Sequence, residues 1–287
     1  MKPAKLGSRI FLDSGDPAET KEIFSILGFL DGQTTNPTLV AKNPYAAERF
    51  SRGEKFSKSE IMDFYRKVVS DVSALLPQGS VSIEVYADLT TTADAMFVQG
   101  KDMYGWIPNA HIKYPTTNAG LTAAERSTAE GMRVNLTLCF SQEQAAAVYA
   151  ATMGAQKGEV FVSPFVGRLD DIGINGMALI DNILRMYKNG DGHSEVLSAS
   201  IRTMDHFMQS LALGADIITA PFTILQQWGK AGMPLPDKDY NYVHSQLKDI
   251  PYRDVGLNKK WTDYDIQHEL TTKGVERFST DWNALIS

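Results

Sequence analysis

The segment His111-Ile112-Lys113-Tyr114-Pro115-Thr116-Thr117 sets a lysine at the end of an apolar, strand-like run that a proline closes. A lone ammonium buried there costs several kcal/mol in lost hydration, so the stability of a fold does not account for it. Burial favours the neutral amine over the ammonium. A neutral amine attacks a carbonyl carbon and condenses with it to a Schiff base. Taken by itself, the heptapeptide also fits a lysine that snorkels from a strand end into water, so the choice depends on what surrounds it.

The elements that must position Lys113 follow from periodicity. Short apolar segments at 9–14, 30–35, 81–87, 110–114, 133–139, 159–164, 195–201 and 216–220 read as strands. Helical periodicity at 18–29, 59–76, 122–130, 142–155, 176–187 and 203–213 separates most of them. Such alternation predicts βαβ units and a parallel sheet. Eight strands within about 215 residues predict an α/β chain forming a single closed (β/α)8 barrel, a TIM barrel. An open doubly wound sheet is the alternative, but no Gly-x-Gly-x-x-Gly follows the first strand. One barrel domain over 1–287 is expected, with its core strands within 9–222. Residues 41–58 read as a polar insertion at the mouth, and 223–287 as a long carboxy-terminal extension rich in aromatics and lysine. Such an extension packs across a barrel end or against a second copy, so a homo-oligomer is one expectation.

Alternate residues of a strand face opposite sides. Glu84 then opposes Ile83 and Val85, and His111 and Lys113 oppose Ile112 and Tyr114. Asn135 and Thr137 oppose Val134, Leu136 and Leu138, and Ser198, Ser200 and Arg202 oppose Leu197, Ala199 and Ile201. The apolar sets are expected to cover the helix side and the polar sets to point inward. Polar and charged side chains gathered at the carboxyl ends of several barrel strands are the signature of an active site on this fold.

Bulk properties remove other function classes. A net charge of −6 and a pI near 5.4 exclude the basic footprint of a nucleic-acid binder and do not suit an anionic membrane. No apolar run reaches the ~18–20 residues that span a bilayer. The one cysteine, Cys139, allows no intrachain disulfide and suits a reducing cytosol. Residues 1–9 lack the apolar core of a secretory signal, so a cytoplasmic location is expected. The five histidines show no ligand spacing, and the adjacent Asp170 and Asp171 read as helix caps, so no metal is expected. His111 reads as a core histidine and Cys139 as a small buried hydrophobe.

The segments F-L-D-S-G-D, Thr34-Thr35-Asn36-Pro37-Thr38-Leu39, S-I-E-V, I-K-Y-P-T-T, N-L-T-L-C-F-S, S-P-F-V-G-R and S-A-S-I-R resemble the transaldolase family. They occur in the family's order, from position 11 to about 222, each at a predicted strand end. The resemblance implies an enzyme that needs no cofactor or metal and whose partners are small sugar phosphates. It implies transfer of a dihydroxyacetone unit from a ketose phosphate (fructose 6-phosphate or sedoheptulose 7-phosphate) to an aldose phosphate, a reaction of the pentose phosphate pathway.

Carried over by position, Lys113 resembles the Schiff-base lysine, and Asp13 the acid/base at the C4 hydroxyl during carbon–carbon cleavage. Retro-aldol cleavage requires a base there and an iminium to accept the electrons. Glu84 and Thr137 resemble the pair that holds a catalytic water. Asn36, Asn135 and Ser163 resemble contacts to substrate hydroxyls and the bound three-carbon unit, and Phe165 is expected among the substrate-binding residues. Arg168, Ser200 and Arg202 resemble the phosphate site, for which guanidinium forks are suited. Read without the resemblance, Asp13 fits a turn or cap, Glu84 a structural ion pair and Arg168 a surface salt bridge.

A fructose 6-phosphate aldolase, a lyase of the same superfamily, is the nearest alternative, and Asp281-Trp282 resembles its carboxy-terminal region. Glu84, Phe165 and Asn135 favour the transferase, since the aldolases tend to have Gln, Tyr and an apolar residue there. A donor carrying sulfonate and a non-catalytic sugar-phosphate-binding barrel are further alternatives. Tyr114 and Thr116 depart from the family's usual residues, and Tyr114 is expected to pack outward against a helix.

Overall fold

The structure, a computed structural model, describes residues 2–240, 242–244 and 246–287; Met1, and Asn241 and Ser245 in the predicted extension, lie outside the described residues. Eight parallel strands close into a barrel in sequence order. They are β1 (Arg9–Asp13), β2 (Gly32–Thr34), β3 (Ser80–Glu84), β4 (Ala110–Pro115), β5 (Val134–Cys139), β6 (Val160–Pro164), β7 (Ser194–Ser198) and β8 (Ile217–Ala220). The predicted (β/α)8 architecture is therefore present.

The helices are α1 (Pro17–Leu27), α2 (Pro37–Ala41), α3 (Pro44–Ser51), α4 (Lys58–Leu75), α5 (Ala93–Tyr104) and α6 (Asn118–Ala129). There follow α7 (Gln142–Ala151), α8 (Val166–Asp170), α9 (Gly176–Tyr187), α10 (Met204–Leu213), α11 (Phe222–Lys230) and α12 (Glu269–Ala284). Many begin on a side-chain cap in the loop after a strand: Asp16 for α1, Thr92 for α5, Thr117 for α6, Ser141 for α7 and Thr203 for α10. A polar oxygen there satisfies a helix's first free N–H groups, which is how the sequence switches from a period of two to one of 3.6. Among the described residues no helix is long and apolar enough to cross a membrane.

The lower barrel is filled rather than open. Phe161 stacks on His111 with ring centroids 4.1 Å apart and meets Phe11 edge-on, while Arg9 reaches Glu195 at 2.6 Å. His111 is bonded at both ring nitrogens, to Ser80 and to the carbonyl of Gly158, and burial pushes its pKa down to about 3. It is a neutral core histidine, as its position predicts.

Several details differ from the sequence reading. Helix α5 lies where no helix is predicted; its apolar pattern is interrupted at Gly100, where a Cβ would lie 2.0 Å from the Tyr114 hydroxyl. That hydroxyl bonds Ser127 of α6, so Tyr114 does pack outward among helices. Parity on β7 is reversed from the prediction: Ser198 bonds Ser210 of α10, whereas Leu197 and Ala199 face the interior. The strand ends at Ser198, and Ser200 adopts φ 59°, a left-handed conformation that breaks the alternation. Leu138 likewise leaves its predicted outward set. Its φ is 58° beside a bulge between β5 and β6, and its side chain meets Gly274.

The insertion contains α3, and Phe56 beyond it bridges to Ile286 near the carboxy terminus. The extension runs along the helical layer, where Lys248 bonds Gly173 and Asn175, and Gln142 bonds Arg253. It then enters α12, which lies over the carboxyl ends of the strands. Thr271 of α12 bonds the Leu138 carbonyl, and Trp282 packs on Tyr65 of α4 at 5.7 Å between ring centroids.

Candidate active site

Parallel pairing places Glu84, Lys113 and Asn135 level with one another on β3, β4 and β5. All three point inward and are almost fully buried. Lys113 Nζ donates to the Thr35 carbonyl at 2.9 Å and lies 2.9 Å from Glu84 Oε2. The Lys113 and Glu84 side chains are each 4% exposed, so the ion pair is formed away from bulk water. Among the described residues that carboxylate oxygen and Thr137 Oγ1 are buried without a well-formed hydrogen bond.

Tyr65 frames this cluster from outside the barrel. Its oxygen accepts the Glu84 backbone N–H at 2.9 Å and shares a 2.6 Å bond with Thr35 Oγ1, which in turn donates to the Ser82 carbonyl. One phenol on α4 thus ties the end of β2 to the end of β3, the strand that pairs with β4 and Lys113. Nothing in the spacing around Tyr65 distinguishes it from an apolar helix residue, and the sequence reading did not identify it.

Asp13 ends β1 and accepts the Thr34 hydroxyl at 2.6 Å, which is itself bonded to Thr219. Removal from bulk water pushes the Asp13 carboxyl above its ordinary range, opposed by the nearby Lys113 charge and by the Thr34 hydrogen bond. Burial pushes Glu84 in the same direction against the attraction of Lys113 and Arg168. Each carboxyl is therefore easier to protonate than a solvated one.

A cavity of about 250 Å³ opens at the carboxyl end of the barrel. Asp13, Asn36, Lys113, Thr137, Ser163, Phe165, Arg168, Ser200 and Arg202, nine of the predicted site residues, line it together. Asn36 uses its carbonyl oxygen to cap α2 at Leu39. Glu84 and Asn135 do not reach the cavity wall. The Asn135 amide donates to Ser82 and its oxygen accepts Ser163 Oγ at 2.6 Å, so Asn135 orients Ser163. Cys139 is buried, and the loss of solvation raises its thiol to about 12, which suits the predicted inert hydrophobe.

One wall of the cavity is cationic. The Arg168 guanidinium lies over the rings of Phe165 and Phe278, at 5.3 and 5.1 Å from their centroids. Among the described residues no carboxylate forms an ion pair with it. Burial pulls its pKa down, with Arg202 and Arg277 acting in the same direction and Glu84 opposing. Arg202 pairs with Asp171, and its backbone N–H faces His206 Nδ1, while Asp170 holds the other ring nitrogen at 2.7 Å. Asp170 accepts the Gly176 N–H at the start of α9, whose N-cap is Asn175, and Asp171 stands at the C-cap of α8 and pairs with Arg202. Gly167 admits no Cβ, because Arg202 Nε and the Ser200 carbonyl would lie 2.5 and 2.6 Å from it. Among the described residues no group of three His, Cys, Asp or Glu side chains is placed to hold a metal ion.

Two cavity residues come from the extension. Arg277 and Phe278 of α12 stand more than 160 positions beyond Lys113, outside every motif of the sequence reading. The combination is a buried amine, carboxyls with raised affinity for protons, and a guanidinium wall. It can condense with a carbonyl, exchange protons and hold an oxyanion.

Comparison with known proteins points the same way. A family profile described as transaldolase/fructose-6-phosphate aldolase matches residues 10–287. A probable transaldolase of Dehalococcoides mccartyi is 35% identical over 277 residues, covering 96% of this chain and 99% of that one. One from Cereibacter sphaeroides is 40% identical over 230 residues, covering 80% and 91% of the two chains. One from Herpetosiphon aurantiacus is 35% identical over 274 residues, covering 96% and 94%.

Proposed function

We propose, for a chain that belongs to the transaldolase/fructose-6-phosphate aldolase family, a transaldolase reaction in which dihydroxyacetone passes from a ketose phosphate to an aldose phosphate through a Schiff base on Lys113. The observation that carries the reading is the Lys113 amine itself, buried 2.9 Å from Glu84 and opening on the same cavity as Asp13 and Arg168, which pairs with no carboxylate among the described residues.

The Lys113 ammonium gives a proton to Glu84, the neutral amine adds to the C2 carbonyl, and loss of water from the carbinolamine leaves an iminium. Asp13 takes the C4 hydroxyl proton, the C3–C4 bond breaks, and its electrons pass into the iminium to give an enamine. The first aldose phosphate then departs. The enamine carbon adds to the aldehyde of the acceptor, Asp13 returns its proton, and water hydrolyses the new iminium to free Lys113. Proton transfer to and from the carbinolamine falls to Glu84 and Thr137; Glu84 Oε2 and Thr137 Oγ1 are buried without a well-formed hydrogen bond among the described residues and suit a bridging water. Asn36 and Ser163 face the sugar hydroxyls, with Asn135 positioning Ser163. Ser200, Arg168 and Arg202 take the phosphate. Phe165 seats Arg168 and gives the cavity an apolar face.

Release of glyceraldehyde 3-phosphate from fructose 6-phosphate, with and without erythrose 4-phosphate, tests this. Release that requires the acceptor supports a transaldolase. Equal release without acceptor makes the chain a fructose 6-phosphate aldolase and overturns the transferase assignment while leaving the lysine chemistry in place.

A further inference from the structure

We infer that Arg277, on the carboxy-terminal helix α12, is a third guanidinium of the cavity and binds the terminal phosphate of the substrate together with Arg168 and Arg202. The inference rests on the reading of this cavity as a sugar-phosphate site. Arg277 lines the cavity and is 67% exposed, so it stands at the rim. Its Nε donates to Asp281 Oδ2 at 3.0 Å, one helical turn later. That bond leaves both terminal amino groups without a protein partner among the described residues, and a guanidinium anchored through Nε presents them as a fork for two oxygens of a tetrahedral oxyanion.

The anchor is itself held. Asp281 Oδ2 also accepts the Thr38 hydroxyl of α2, a residue that lines the same cavity. The orientation of Arg277 is thus set by two elements rather than by one surface pair. Helix α12 shapes the site at two further points. Phe278 stacks on Arg168, and Gly274 has no side chain where a Cβ would lie 2.7 Å from Arg168 Nη1. A helix that served only to cover the barrel mouth would not need a glycine against an arginine.

Charge supplies the reason for a ligand. Three guanidiniums share one cavity, and among the described residues two of them have carboxylate partners, Asp171 for Arg202 and Asp281 for Arg277. Like charges gathered at one cavity repel, most strongly at the buried Arg168 and less at the exposed Arg202 and Arg277, and a phosphate dianion converts that repulsion into binding. Phosphate matches this wall better than a singly charged group, because each added cation gains twice as much from it.

An exposed ion pair four residues apart on a helix is otherwise worth little, so the test must separate a bound phosphate from a surface pair. Inorganic phosphate is titrated calorimetrically into the full chain, the Arg277→Ala variant, and Arg66→Ala, which removes an exposed arginine of α4 outside the cavity. Phosphate affinity is expected to fall about five-fold in Arg277→Ala and to change less than about two-fold in Arg66→Ala. Arg277→Lys is expected to recover part of the loss, since it keeps the charge but not the fork. Equal affinity in Arg277→Ala and the unaltered chain, or no phosphate binding at all, overturns the assignment. Borohydride trapping of dihydroxyacetone on Lys113 of the unaltered chain needs no phosphate. Successful trapping with Arg277-independent phosphate binding overturns this inference alone; failed trapping overturns the Schiff-base reading instead.

Discussion

Glu84 and Lys113 are register partners on β3 and β4, and their charged atoms meet 2.9 Å apart inside the barrel mouth. The pair is costly, because both groups surrender hydration and the geometry does not complete a hydrogen bond at Glu84 Oε2. Two charges kept buried at such a cost, at the carboxyl end of a barrel, fit a reactive pair better than a stabilising one.

Lys113→Ala is expected to lower turnover at least about a thousand-fold, since among the described residues no other lysine lines the cavity to form the imine. Mass spectrometry after borohydride reduction with dihydroxyacetone should show an adduct on the unaltered chain and none on the variant. Activity retained by a folded variant would refute the mechanism.

Glu84→Gln keeps the shape of the side chain but removes the proton carrier beside the amine. Imine formation should slow by about 10²–10⁴-fold, the usual contribution of a positioned acid or base. Rapid-quench borohydride trapping measures that step directly. An unchanged trapping rate would leave Glu84 as a structural counter-ion.

Asp13 gives a prediction with a sign that can be checked. Its carboxyl binds a proton more tightly in the folded chain than in the unfolded one, chiefly because of burial. The contribution to stability is therefore full below about pH 4, the unfolded value, and is lost as pH rises through the folded value. Asp13→Asn removes that loss, so the variant should unfold at a higher temperature than the unaltered chain at pH 7, with the gap closing toward pH 4. Carbon–carbon cleavage should disappear in the same variant. Thermal unfolding curves that shift in parallel across this range would contradict the assignment.

Gly274 and Gly167 separate two kinds of close approach. A Cβ at 274 meets the flexible ends of Leu138 and Arg168, at 2.6 and 2.7 Å. Gly274→Ala should thus change stability by less than about 1 kcal/mol, helix propensity offsetting the crowding, while KM for fructose 6-phosphate rises several-fold as Arg168 is displaced. A Cβ at 167 meets the Ser200 carbonyl, which is backbone, at 2.6 Å. Gly167→Ala should cost about 1–3 kcal/mol, as overpacking does, and raise KM as well. Denaturant titration and steady-state kinetics on the two variants check both halves; a Gly274→Ala variant with unaltered KM would detach α12 from the site.

Legibility differed from strand to strand. On β4 and β5 polar residues alternate with Ile, Val and Leu, and the alternation correctly places Lys113, Asn135 and Thr137 inward. On β7 both sets mix small residues, and alternation put Ser198 on the wrong side; its hydroxyl bonds a helix serine, which no pattern of polarity can announce. Ser200 and Arg202 reach the cavity only because Ser200 takes a left-handed turn. Helix α5 escaped notice for a related reason, since Gly100 answers to Tyr114 on a neighbouring strand and not to its own helix.

The amino-acid sequence by itself determined the order of strands and helices, the closed barrel, and a lysine turned inward at the end of β4. Those properties are local, because periodicity records which side of each element is dry. The tertiary structure alone decided that Tyr65 would tie β2 to β3, and that Gly274, Arg277 and Phe278 would return across the mouth to meet Arg168. Hydrophobic patterning states that a face is buried but not what buries it, and contacts between residues a hundred positions apart are fixed only when the whole chain packs.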